Sequence, residues 1–150
     1  MTPPAHLPGA VLFACNLNIV RSPMAEALTR HLYGQRLYVD SVGVRAGEPD
    51  PFAIAVMQEI GIDIADHVPK SFDDLDDTSF DLVISLTPQA QHQAVEMTRT
   101  MAVDLEYWPT VDPTVGQGSR EQRLAAYRDV RDELMKAIKA RFGTMPAANP

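Results

Sequence analysis

The sequence has a single cysteine, Cys15, among 150 residues. That excludes an internal disulfide and any metal centre built from several thiolates. A lone thiol is either an inert core residue or a reactive one, and its position decides which. No stretch approaches the roughly 20 consecutive apolar residues of a membrane helix. The start, Met1-Thr2-Pro3-Pro4-Ala5-His6-Leu7-Pro8, has no basic segment and leads into only a few apolar residues, a poor secretion signal. A cytoplasmic protein is expected. Positive charge is also scarce: 13 Lys and Arg against 20 Asp and Glu give a formal net charge of −7. Such a surface repels nucleic acid and anionic membranes, so neither is expected as a partner. An anionic ligand must then be drawn by a local positive site.

Repeats, low-complexity tracts and internal linkers are absent, and no residues stand at metal-ligand spacing, so no metal or other cofactor is expected. Asp73, Asp74, Asp76 and Asp77 lack the spacing and turn glycine of a calcium loop and read as a solvated acidic loop. His31 reads as a surface residue, and His67 and His92 have no partner at ligand spacing.

What is present fits one globular domain: 45% apolar and 22% charged residues in a chain of ordinary domain length. The domain is expected over 10–143, with tails at 1–9 and 144–150. Apolar runs at 10–15, 37–41, 80–86 and 103–108 read as strands. Between them, 51–60 and 89–98 read as helices. Ser22-Pro23 reads as a helix start, serine at the N-cap and proline at the first helical position, with Gly34 as its stop. Ser119 and Gln122 form a capping-box pattern ahead of a long final helix, where Arg128 and Arg131 are expected on the solvent side, paired with Asp129, Asp132 or Glu133. Short apolar strands alternating with amphipathic helices point to an α/β fold, a parallel sheet covered on both faces. Ligands of such sheets bind beyond the carboxyl ends of the strands. Cys15 stands at one such end.

The segment Cys15-Asn16-Leu17-Asn18-Ile19-Val20-Arg21-Ser22 carries the chemistry. A loop of this length can turn successive backbone N–H groups inward as an anion nest. The following helix adds unpaired N–H donors and the positive end of its dipole. Arg21 adds a planar fork suited to two oxygens of a tetrahedral anion. The same fields favour a thiolate at Cys15, and Ser22 is placed to donate a hydrogen bond to it. Ester cleavage also needs a proton for the departing oxygen. Asp112, followed by Pro113 after the fourth strand, lies at the same sheet edge and is the candidate general acid, then base. Trp108 reads as packing, or as a wall of the cleft near Asp112.

The runs Val11-Leu12-Phe13-Ala14-Cys15 and Arg21-Ser22-Pro23-Met24-Ala25-Glu26-Ala27 closely resemble the signature of the low-molecular-weight protein tyrosine phosphatases, a family that includes related arsenate reductases. The resemblance extends from Val11 to about Phe142. It implies a four-stranded parallel sheet in the order 2-1-3-4. It implies that Asn18 holds the loop in shape, that Ser41 of Ser41-Val42-Gly43 supports Asn18, and that Asp112 is the general acid. The catalytic residues would be Cys15, Arg21 and Asp112. Residues Asn16, Leu17, Asn18, Ile19, Val20 and Arg21 would form the phosphate-binding loop, with Asn18, Ser22 and Ser41 behind it. Phosphate, sulfate or arsenate would occupy that loop, and the partner would be a phosphorylated protein or a small phosphate monoester.

Four positions depart from the family pattern. Leu17 replaces a glycine, which strains or reshapes the loop if that position needs a left-handed backbone. Val20 replaces a second cysteine. Thr114 and Val115 replace the aromatics that usually follow the Asp-Pro pair. Trp108, Asp112-Pro113 and the segment 127–134 are more similar to the arsenate reductase branch. Three readings therefore stand: a cysteine-dependent phosphatase, an arsenate reductase drawing electrons from an external thiol, and a non-catalytic oxyanion-binding module.

Overall fold

A computed structural model describes residues 8–75 and 79–143. The expected tails fall almost wholly outside the described residues, as do Asp76 and Asp77 of the acidic loop. Four strands, β1 (Ala10–Cys15), β2 (Tyr38–Gly43), β3 (Leu82–Ser85) and β4 (Asp104–Tyr107), alternate with four helices, α1 (Arg21–Tyr33), α2 (Pro51–Gln58), α3 (Pro88–Met97) and α4 (Arg120–Phe142). The strands form one parallel sheet in the order β2-β1-β3-β4, as expected.

Strand β1 is central and apolar throughout because both of its faces are covered. Val11, Phe13 and Cys15 face a core shared with α1, α2 and α4, while Leu12 and Ala14 face the smaller core under α3. Burying a side chain such as Phe13 contributes about 1.5–3 kcal/mol. The ring of Trp108 packs edge-on against Phe13 at 6.0 Å, the packing role expected of it.

The helix starts are set by capping side chains. Asp50 accepts from the N–H groups of Phe52 and Ala53 ahead of α2, and Thr87 from that of Ala90 ahead of α3, each with proline next in the chain. Ser119 and Gln122 form the expected capping box on α4. At α1 the expectation fails. The helix begins at Arg21 with Val20 at the N-cap and no capping side chain. Ser22 is inside the first turn and wholly buried, so its hydroxyl is free for a different use.

The solvent-side expectation for Arg131 also fails. Its guanidinium is buried between α4 and α2, where it donates to the Val56 carbonyl, to Glu59 and, as the sequence suggested, to Asp132. Arg128 grips both oxygens of Glu59 and one of Glu121. Hydrogen bonds from Arg128 and Arg131 lower the Glu59 carboxyl from its ordinary 4.5 to about 2. Residues 69 to 72 positions away in sequence close this clamp, so helical periodicity alone pointed both arginines outward.

Candidate active site

Beyond the carboxyl end of β1, the chain makes a tight loop from Asn16 to Val20 before entering α1. Its shape is imposed by the segment that follows β2. The N–H groups of Val44, Arg45 and Gly47 donate to the carbonyls of Cys15, Asn16 and Leu17 at 2.9, 3.0 and 2.9 Å. With the carbonyls engaged there, the N–H groups of Asn16 to Val20 meet no acceptor among the described residues. Such a row of unsatisfied donors next to a helix start is an anion site. Gly43 lets the two segments approach: a Cβ there would stand 2.6–2.8 Å from backbone atoms of Arg45, Asn18 and Asn16.

One residue of the loop adopts a left-handed backbone, and it is Asn18, at φ +59°. Asparagine tolerates that region better than most side chains. Leu17 is outside it, so the expected strain at that position does not arise. Asn18 is fully buried behind the loop and uses its whole hydrogen-bonding capacity. Its Nδ2 donates to Ser22 Oγ and Ser41 Oγ, both at 2.9 Å. Its Oδ1 accepts from the Lys70 N–H at 2.9 Å and from His67 Nε2 at 3.0 Å. The Lys70 amide can only donate, which fixes the orientation of the Asn18 carboxamide.

The network reaches the thiol. Ser22 Oγ accepts from Asn18 and lies 2.9 Å from Cys15 Sγ and 3.2 Å from the Val42 carbonyl. With its acceptor side occupied, its one proton is directed to either of these, and a thiolate is the stronger acceptor. On the other side, Ser41 donates to Glu26 Oε1 at 2.5 Å, and Glu26 pairs with Arg30. Ser22, Glu26 and Arg30 are each four residues apart on α1, one face of a helix.

Cys15 shares a cleft of about 270 Å³ with Asn16, Leu17, Ile19, Val20 and Arg21 from the loop, and with Val44, Arg45, Gln89, Asp112 and Thr114 from its surroundings. The structure therefore brings Cys15, Arg21 and Asp112 together, although their sequence positions span almost a hundred residues. Arg21 is mostly buried. One arm donates to the Thr110 carbonyl at 3.0 Å, and the other lies 3.9 Å from Asp112 Oδ2. Asp112 Oδ1 accepts from the backbone N–H and the hydroxyl of Thr114 at 2.9 and 2.7 Å. The Asn16 side chain accepts from Thr87, tying the loop to the start of α3. Among the described residues, no aromatic side chain lines the cleft.

His67 and Glu26 are among the residues of this site that escaped the sequence reading. His67 had no neighbour at ligand spacing, yet its Nε2 faces both the carbonyl and the Oδ1 of Asn18, so that nitrogen carries the proton. It arrives from a distant loop, and no local pattern announces it. Glu26 was legible in principle, four residues after Ser22 on the same helical face. His31 and His92 are exposed, as expected. Asp74 caps a short turn with Ser71.

Comparison with known proteins agrees with this geometry. Residues 10–145 match the low molecular weight phosphotyrosine protein phosphatase family. The arsenate reductase of Bacillus subtilis (strain 168) is 33% identical over 129 residues, 86% of this chain and 91% of that protein. The glutaredoxin arsenate reductase of Synechocystis sp. is 30% identical, over 86% of this chain and 92% of its own. A low molecular weight protein tyrosine phosphatase from T. tengcongensis superposes with a TM-score of 0.71 at 29% identity, covering 87% of this chain and 95% of that one. This chain belongs to the low-molecular-weight phosphotyrosine protein phosphatase family.

Proposed function

We propose that the protein is a cytoplasmic, cysteine-dependent phosphatase that hydrolyses phosphate monoesters through a thiophosphate intermediate. One observation carries the reading: Cys15, Arg21 and Asp112 line one small cleft, with Arg21 3.9 Å from Asp112. Arg21 and the loop amides from Asn16 to Val20 hold the phosphoryl oxygens. The Cys15 thiolate attacks phosphorus, the bond to the leaving oxygen breaks, and Asp112 gives that oxygen its proton. Water then yields a proton to Asp112 and attacks phosphorus, releasing phosphate and the thiolate. Preorganised donors stabilise the charge that builds on the oxygens in both steps, and removal of one such donor typically costs about 10²–10³ in rate.

The cleft wall bears on the substrate. Leu17, Ile19 and Val44 are aliphatic, and Thr114 and Val115 follow the Asp-Pro pair, so among the described residues an aryl ring finds no aromatic walls. The ester is that of a phosphorylated protein or of a small molecule. Steady-state hydrolysis of p-nitrophenyl phosphate tests the activity. Wild type should turn over, Cys15→Ser should lose all turnover, and Asp112→Asn should lose about 10²-fold or more. A folded but inactive wild type refutes the phosphatase reading.

The similarity to arsenate reductases favours a second reading, since arsenate is also a tetrahedral oxyanion. Its reduction to arsenite takes two electrons, which two thiols supply as they become a disulfide. The chain has one cysteine, so at least one thiol would have to come from outside. Arsenate-dependent oxidation of glutathione or mycothiol by the wild type, absent in Cys15→Ser, is the outcome that supports it.

A further inference from the structure

The carboxylate of Asp112 is held asymmetrically. Oδ1 takes both donors of a single residue, the N–H of Thr114 at 2.9 Å and its hydroxyl at 2.7 Å. Oδ2 has neither; it lies 3.9 Å from the guanidinium of Arg21, a residue that lines the same cleft. Two donors fill the acceptor sites of Oδ1, so a proton on this carboxyl belongs on Oδ2. The backbone donor comes with the turn, since Asp112 caps the short helical turn Pro113–Val115. The hydroxyl donor does not: it exists only because residue 114 is threonine, where the resemblance described above leads one to expect an aromatic residue.

We propose that Thr114 is a positioning residue for the acid-base step: its hydroxyl locks the Asp112 carboxyl so that Oδ2 carries the transferable proton and faces the leaving oxygen. The inference rests on Asp112 being the general acid, and it goes beyond that reading by assigning the reacting oxygen and the side chain that selects it. In the first step the Oδ2 proton moves to the leaving oxygen as the sulfur–phosphorus bond forms and the phosphorus–oxygen bond breaks. Oδ1 keeps both Thr114 bonds throughout. In the second step Oδ2 takes a proton from water. Without the hydroxyl, the carboxyl can rotate about its bond to Cβ and present either oxygen, so the productive geometry is a smaller share of the ensemble.

Thr114 is exposed, so its replacement leaves the core undisturbed. The deciding measurement is kcat/KM on two esters, phenyl phosphate, whose leaving oxygen needs a proton, and 2,4-dinitrophenyl phosphate, whose leaving group departs as a stable anion. Thr114→Val should lower kcat/KM on phenyl phosphate by about three- to tenfold, part of the 10²–10⁴ that a general acid supplies, and lower it clearly less on the dinitrophenyl ester. Thr114→Ser, which keeps the hydroxyl, should stay within about twofold of wild type on both. Equal losses on the two esters, no loss on either, or failure of serine to rescue would overturn the proposal. Asp112→Asn in the same pair of assays separates the underlying reading. If its loss does not depend on the leaving group, the acid assignment itself falls, and the proposal with it. An inactive wild type on the dinitrophenyl ester removes the phosphatase reading and this one together.

Discussion

Replacing Asn18 by alanine removes two things that can be measured apart. The first is backbone compatibility: at φ +59° a Cβ-bearing residue without asparagine's local hydrogen bonding is strained by about 1 kcal/mol. The second is the set of four hydrogen bonds to Ser22, Ser41, His67 and Lys70. Each nets about 1 kcal/mol, more where a buried partner is left unsatisfied, while Ser41 keeps the bond it donates to Glu26. The expected loss is about 3–5 kcal/mol, or a fall in Tm of about 8–15 °C for a chain of this length. Asn18→Gly loses the same bonds but suits the left-handed backbone, so it should be about 1 kcal/mol more stable than Asn18→Ala. Urea denaturation of the three proteins, followed by tryptophan fluorescence, gives both differences. In each variant Ser22 loses the donor that directs its proton, so kcat/KM on p-nitrophenyl phosphate should fall by about tenfold or more even where the protein is fully folded. Equal stabilities for alanine and glycine would refute the backbone argument. A loss below about 1 kcal/mol for alanine would refute the network.

Three shorter expectations come from the same structure. Gly43→Ala puts a methyl 2.6–2.8 Å from backbone atoms of two packed segments, so it should destabilise the fold by about 1–3 kcal/mol and slow hydrolysis, read by thermal melts and kcat/KM. The depressed Glu59 carboxyl contributes stability that is complete above its ordinary value of 4.5 and is lost as pH falls through about 2. The Tm difference between wild type and Glu59→Gln should therefore persist at neutral pH and shrink between those values; a pH-independent difference would show that the arginine clamp is not its source. Leu17→Gly should bring no gain in activity, since residue 17 is outside the left-handed region; a several-fold rise in kcat on p-nitrophenyl phosphate would count against that.

Most of the candidate site was legible in the sequence because it is local. Cys15, the loop and Arg21 are consecutive, and a strand end followed by a helix start dictates what that spacing does. Asp112 was legible one step less directly, through its place after the fourth strand. What was misread shares a physical cause, a side chain whose partner lies on another element. Ser22 has the chemistry of an N-cap, but the helix starts one residue earlier and the hydroxyl turns to Cys15 instead. Arg131 has the spacing of a solvated face until Glu59 and the Val56 carbonyl meet it. His67 meets Asn18 from 49 residues away.

The three bonds from Val44, Arg45 and Gly47 have a consequence for how this site can change. They grip the loop by its main chain, and Asn18 grips it from behind, so its curvature is written outside the side chains that face the ligand. Leu17 and Ile19, only partly buried, are then free to vary in size and polarity while the cradle stays the same. Shape and selectivity are inherited separately: one stretch of chain holds the mould, and another can be rewritten to decide what is cast in it.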